Sequence, residues 1–116
     1  MKVRYISICL LLVIVGAAII VALAPRFLCA TKGGRWGRVG LNPIPQCNLP
    51  TSDAGKECSG SGECEGACIV ELSSDDMARA KGGEIIHAKG RCSAWRIIVG
   101  CYAFVEDGIV VLICID

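Results

Sequence analysis

The chain has a single histidine, His87, no C-x-x-C pair, two residues each of Trp, Tyr and Phe, and no internal repeat. A lone histidine supplies neither the nucleophile nor the orienting group that acid–base or covalent catalysis needs, so His87 reads as an exposed or edge-strand residue. Without an adjacent dithiol, thioredoxin-type exchange chemistry is excluded. The carboxylates Glu57, Glu63, Glu65 and Glu71 lack the alternating oxygen ligands of a calcium loop. They read as a solvated acidic face, with weak cation binding as the sharper alternative. Net charge is only +1, set in blocks of +4 over Arg26–Pro50, −6 over Thr51–Asp76, +4 over Met77–Cys101 and −3 over Tyr102–Asp116. That balance excludes a general nucleic-acid footprint. No enzyme, cofactor or metal signature stands out.

What is present is an apolar run of 19 residues, Ile6–Ala24, behind the short basic segment Met1–Tyr5. As a helix it spans roughly 28 Å, close to the hydrocarbon thickness of a bilayer and longer than a signal-peptide core. Ala22-Leu23-Ala24 has the small-x-small form of a cleavage site, but Pro25 follows and suits an extended protease subsite poorly. The expectation is an uncleaved signal anchor over residues 1–24 and one extracytoplasmic domain over residues 25–116. The bulky, charged Arg26-Phe27-Leu28 argues against lipid modification of Cys29. Positive charges oppose this orientation, because Arg26, Lys32, Arg35 and Arg38 follow the run while only Lys2 and Arg4 precede it. The cysteines favour it.

Eight cysteines lie beyond the run: Cys29, Cys47, Cys58, Cys64, Cys68, Cys92, Cys101 and Cys114. An even count in a short exported segment predicts a disulfide framework, hence a small, disulfide-rich, mainly β fold. Cys9, within the apolar run, reads as a small lipid-facing or packing residue. Zinc is the alternative for Cys58-x5-Cys64-x3-Cys68, with His87 or Cys92 as a fourth ligand, but only one short pair is present. The C-terminal hairpin is the clearest element. Asp107-Gly108 signals a type I′ turn between Tyr102–Val105 and Ile109–Ile115, so that paired positions sum to 215. Cys101 then falls opposite Cys114, within disulfide reach. Tyr102, Phe104, Ile109, Val111 and Ile113 share one face and Ala103, Val105, Val110 and Leu112 the other. With both faces apolar, the hairpin is either central or covered by a partner. The remaining pairs are expected as Cys29–Cys47, Cys58–Cys68 and Cys64–Cys92. Trp95–Val99 is a further expected strand, and Ser73–Lys81 is either a capped helix or a surface loop.

Lys32-Gly33-Gly34-Arg35-Trp36-Gly37-Arg38 is the candidate binding patch. Flexible backbone N–H groups beside Lys32, Arg35, Trp36 and Arg38 suit phosphate, an anionic lipid headgroup or an acidic glycan. The plainer reading is a first strand and turn whose Trp36 covers the core. Gly33-Gly34-Arg35-Trp36, Asp53-Ala54-Gly55-Lys56-Glu57-Cys58, Cys64-Glu65-Gly66-Ala67-Cys68, Gly90-Arg91-Cys92-Ser93, Gly100-Cys101 and Cys114-Ile115-Asp116 together resemble small cysteine-rich secreted or periplasmic proteins of bacteria. The resemblance implies export and no mechanism. The expected protein is a single-pass module of the inner (cytoplasmic) membrane, its C-terminal domain in the periplasm or outside the cell. It binds an envelope protein, anionic lipid or glycan and catalyses nothing. The alternative is a secreted inhibitor or toxin-like effector, released by signal cleavage, whose loop Ser59–Glu63 enters a partner.

Overall fold

The computed structural model describes all 116 residues. Helix α1 spans Lys2–Thr31 and none of its apolar window is buried, so it is long and apolar enough to cross a membrane. It does not stop at Pro25, where the sequence suggested a boundary, but carries the chain on to Thr31. Pro25 removes one intrahelical N–H, yet the residues after it are ordinary helix formers. The stop comes from Gly33, at φ 70°, and from the N–H groups of Lys32, Gly33 and Gly34, which donate to Cys29 O, Ala30 O and Cys29 O. These bonds satisfy carbonyls that a helix end leaves orphaned.

A short antiparallel pair follows, β1 (Arg35–Gly37) with β2 (Gln46–Asn48), in the register Trp36↔Cys47. The Cys29–Cys47 bridge ties it to the last turn of α1. Gly34 makes the close approach possible: a Cβ there would lie 2.6 Å from Cys47 Sγ and 2.7 Å from Cys29 Sγ.

The rest of the domain is a five-stranded antiparallel sheet. Its strands are β3 (Glu57–Cys58), β4 (Cys68–Val70), β5 (Gly90–Cys92), β6 (Gly100–Glu106) and β7 (Ile109–Ile115), in the order β3-β5-β4-β6-β7. The hairpin has the register expected from its turn, from Glu106↔Ile109 to Gly100↔Ile115, with Asp107 and Gly108 both at positive φ as a type I′ turn requires. Ser73–Lys81 resolves to a helix, α2 (Ser74–Lys81), with Ser73 Oγ accepting from Asp76 N–H and Asp75 and Asp76 in the first turn.

Trp95–Val99 is not a strand, contrary to expectation; only an isolated bridge joins Trp95 to Pro50. The Asn48 side chain takes the place of a neighbouring strand. Its Nδ2 donates to Ile97 O at 2.8 Å and its Oδ1 accepts from Ile97 N at 3.0 Å. With both backbone groups of Ile97 satisfied, β pairing is not required there.

Four bridges staple the fold: Cys29–Cys47, Cys58–Cys68, Cys64–Cys92 and Cys101–Cys114. The core is correspondingly small. Cys58, Cys68, Cys92 and Val105 form one cluster, with Cys64 and Val70 against it, and Ile86, Ala103 and Val110 form a second. Sulfur thus fills space that aliphatic side chains occupy in larger domains.

Candidate functional site

Of the expected patch, the structure gathers Arg35, Trp36 and Arg38 around a shallow depression of about 270 Å³, with Val39, Asn48 and Val99 completing its wall. Lys32 stands apart as the C-cap of α1, where its charge complements the negative end of the helix dipole. Trp36 lies on β1 and is exposed rather than buried, so it does not cover the core. The backbone groups of Lys32, Gly33 and Gly34 are occupied by the helix cap and do not face outward as an anion cradle. Any anion at this surface is therefore held by side chains.

Those side chains are free to do it. Lys32, Arg35 and Arg38 form no ion pair, and the Arg35 guanidinium sits 4.2 Å from the ring centroid of Trp95. That contact orients the charge without neutralising it. The backbone of Asp116 lies against Gly40, at the wall that also holds Val99.

The other basic block is built differently. Arg79 pairs with Asp76 and Glu84, Lys89 with Glu57, and Arg96 approaches Glu65 at 3.8 Å, while Arg91 donates to Gly55 O. A larger depression of about 430 Å³, which sequence reasoning missed, lies across β4, β5 and β6, beside Ile69, Glu71, Lys89, Arg91 and Tyr102. Its lysine and arginine are already engaged. It forms only when residues distant in sequence become sheet neighbours, so no local pattern announces it.

The acidic residues do not converge. Glu63 accepts from Gly60 N–H and Ser59 N–H, Glu65 accepts from Ser52 Oγ and Ser52 N–H, and Glu57 binds Lys89. The Ser52 hydrogen bonds hold the Glu65 carboxylate below the usual range, and Lys89 does the same for Glu57. A lowered carboxylate pKa stabilises the fold above the ordinary value, and that contribution disappears as pH falls through the folded-state value. Both groups are exposed and the effect is small. His87 is exposed and bridges Ile109 at the sheet edge.

The sulfurs of Cys58, Cys64 and Cys92 lie within 4.8 Å of one another, the spacing of a metal cluster. Two neighbouring bridges, Cys58–Cys68 and Cys64–Cys92, account for it. A disulfide sulfur is not a thiolate ligand. Thiol counting on the unfolded, non-reduced chain should find Cys9 alone free, and stoichiometric zinc with titratable thiols at the other positions would contradict these bridges. Compared with known proteins, the chain matches no family model, no curated protein and no solved structure, so the chemistry of the patch rests on its geometry.

Proposed function

We propose that this is a membrane-tethered, non-catalytic module whose disulfide-stapled domain faces the periplasm or the cell exterior and engages anionic headgroups through Lys32, Arg35, Trp36 and Arg38. The observation that carries the reading is the junction at Cys29. The apolar stretch ends at Ala24, and α1 runs seven residues further, roughly 10 Å, before the Cys29–Cys47 bridge fixes β1 to it. If Ile6–Ala24 spans the bilayer, the unpaired cations and Trp36 sit at headgroup level, where tryptophan and basic side chains are favoured. Eight paired half-cystines support an oxidising compartment.

The effector reading receives less support. Its loop, Ser59–Glu63, is closed on itself by the Glu63 carboxylate, which accepts from Ser59 and Gly60 N–H, and is bound back onto the domain by Glu106 reaching Ser61 N–H and by Gly108 N–H on Ser59 O. An inserting inhibitor loop needs to project.

Juxtamembrane cations contribute about 1 kcal/mol each at an anionic surface and are screened by salt. A soluble fragment beginning at Cys29 should therefore bind phosphatidylglycerol vesicles at low salt and release them as salt rises. Replacing Lys32, Arg35 and Arg38 together with Ser should abolish most of that binding while leaving the disulfide pattern unchanged. Equal binding by parent and triple variant would reduce the patch to a structural role and turn attention to Arg79–Arg96.

A further inference from the structure

The most exposed large apolar side chains of the domain beyond α1 are Leu41 and Ile44, at 79% and 70%. Both stand on the loop Arg38–Pro45, which joins β1 to β2, the pair that packs on α1 and is bridged to it by Cys29–Cys47. The tip, Leu41-Asn42-Pro43-Ile44-Pro45, is exposed throughout and carries no charge. The depression formed by Arg35, Trp36 and Arg38 runs on to Val39 and Gly40 at its base. The backbone of the tip is closed as well. Asn42 N–H donates to Val39 O, Ile44 N–H donates to Asn42 Oδ1 at 3.0 Å, and Pro43 and Pro45 have no N–H to satisfy. From Asn42 to Pro45, therefore, no amide hydrogen depends on water, the condition a segment meets before it enters an apolar medium. Gly40, at φ 61°, lies against the Asp116 backbone and Val99, which fixes the base of the loop. The tip is thus held in shape before it meets a surface, and little ordering is left to oppose binding.

We propose that Leu41 and Ile44 insert into the interfacial layer of a lipid bilayer, with Arg35 and Arg38 on the phosphates above them. The inference rests on the headgroup reading of the patch and deepens it. Cations supply an attraction that salt weakens, and two apolar side chains add a hold that salt does not screen. A lipid surface is favoured over a pocket on a protein by two observations. The loop is carried by the strands that pack on α1, the helix long and apolar enough to cross a membrane. Its uncharged tip and arginine-bearing base also match the order of a bilayer, hydrocarbon beneath phosphate.

The full chain carrying Cys9→Ser and one added cysteine, Ile44→Cys or Leu41→Cys, tests this when labelled with nitrobenzoxadiazole and reconstituted in mixed phosphatidylglycerol and phosphatidylcholine vesicles. Both labels should emit at shorter wavelength than in water and lose most of their emission when part of the lipid carries a doxyl quencher near the top of its acyl chain. Gly62→Cys is the aqueous reference, since nothing lies within 4 Å of its added Cβ. Its neighbour Ser61 is bound to Glu106, at the far end of β6 from Val99 and Gly40, a separation of roughly 20 Å over the strand. Equal quenching of the Ile44 and Gly62 labels would overturn the insertion. So would an Ile44 label shifted to shorter wavelength that the lipid quencher does not reach, because it would be buried against protein. Quenching of the native tryptophans by headgroup-labelled lipid, measured on the unlabelled chain, separates this inference from the patch reading. Quenched tryptophans with unquenched loop labels would remove the insertion and leave the patch, and no quenching of either would remove both.

Discussion

Replacing Cys64 and Cys92 together with Ala should be among the most damaging changes in this protein, lowering the stability of the domain by about 2–5 kcal/mol and abolishing folding of a marginal domain at physiological temperature. The bridge closes a separation of 28 residues, against 13 for Cys101–Cys114. Loop-closure entropy alone makes these worth about 3.6 and 2.9 kcal/mol, too similar to decide between them. Burial decides. Cys92 is buried beside Cys58, Cys68 and Val105, with Cys64 packed on the same cluster, so its loss also leaves a void in the larger of two very small cores. Cys101 and Cys114 are exposed, and the hairpin register holds their strands together without the bond. Thermal unfolding of the two double-alanine variants should rank Cys64/Cys92 well below Cys101/Cys114. The reverse order would show that sulfur packing is not what holds the core.

Gly90→Ala should destabilise the domain by about 1–3 kcal/mol, the usual cost of overpacking a filled core. Gly90 sits on β5 opposite Cys58. A Cβ there would meet Ile69 O at 2.7 Å, Cys68 Sγ at 2.8 Å and Val105 Cγ2 at 3.0 Å. None of these neighbours can yield readily: one is a strand carbonyl, one is a bridged sulfur and one is a fully buried side chain. Gly62→Ala is the control, since nothing lies within 4 Å of its added methyl. Denaturant titration should separate the two glycines clearly, and equal midpoints would mean that β5 shifts freely against β4. Such freedom is not expected from a strand held by Cys64–Cys92 and paired on both sides.

These two sites also mark where sequence reasoning stops. The hairpin was legible because its cause is local: Asp107-Gly108 selects the turn, the turn sets the register, and the register places Cys101 against Cys114. The helix of Ser74–Lys81 was half legible, since Ser73, Asp75 and Asp76 are good capping residues but its apolar contacts lie elsewhere in the chain. Trp95–Val99 misled because its β-prone side chains carry no sign that the amide of Asn48 would satisfy the backbone of Ile97 across 49 residues.

In the candidate patch, sequence alone identified the cations and the tryptophan and set them within reach of the apolar helix. Only the tertiary structure decided that Gly33 and Gly34 serve the helix cap and the Cys29–Cys47 bridge, that Arg35 stacks on Trp95, and that Arg79, Lys89, Arg91 and Arg96 of the other basic block are already engaged. The same division runs through the whole chain. Composition and spacing determined an apolar helix, an even set of half-cystines and a register-defined hairpin, because each follows from interactions among near neighbours. Which glycines had to stay bare and which charges stayed free depended on segments meeting across long separations, and that is settled only when the chain closes on itself.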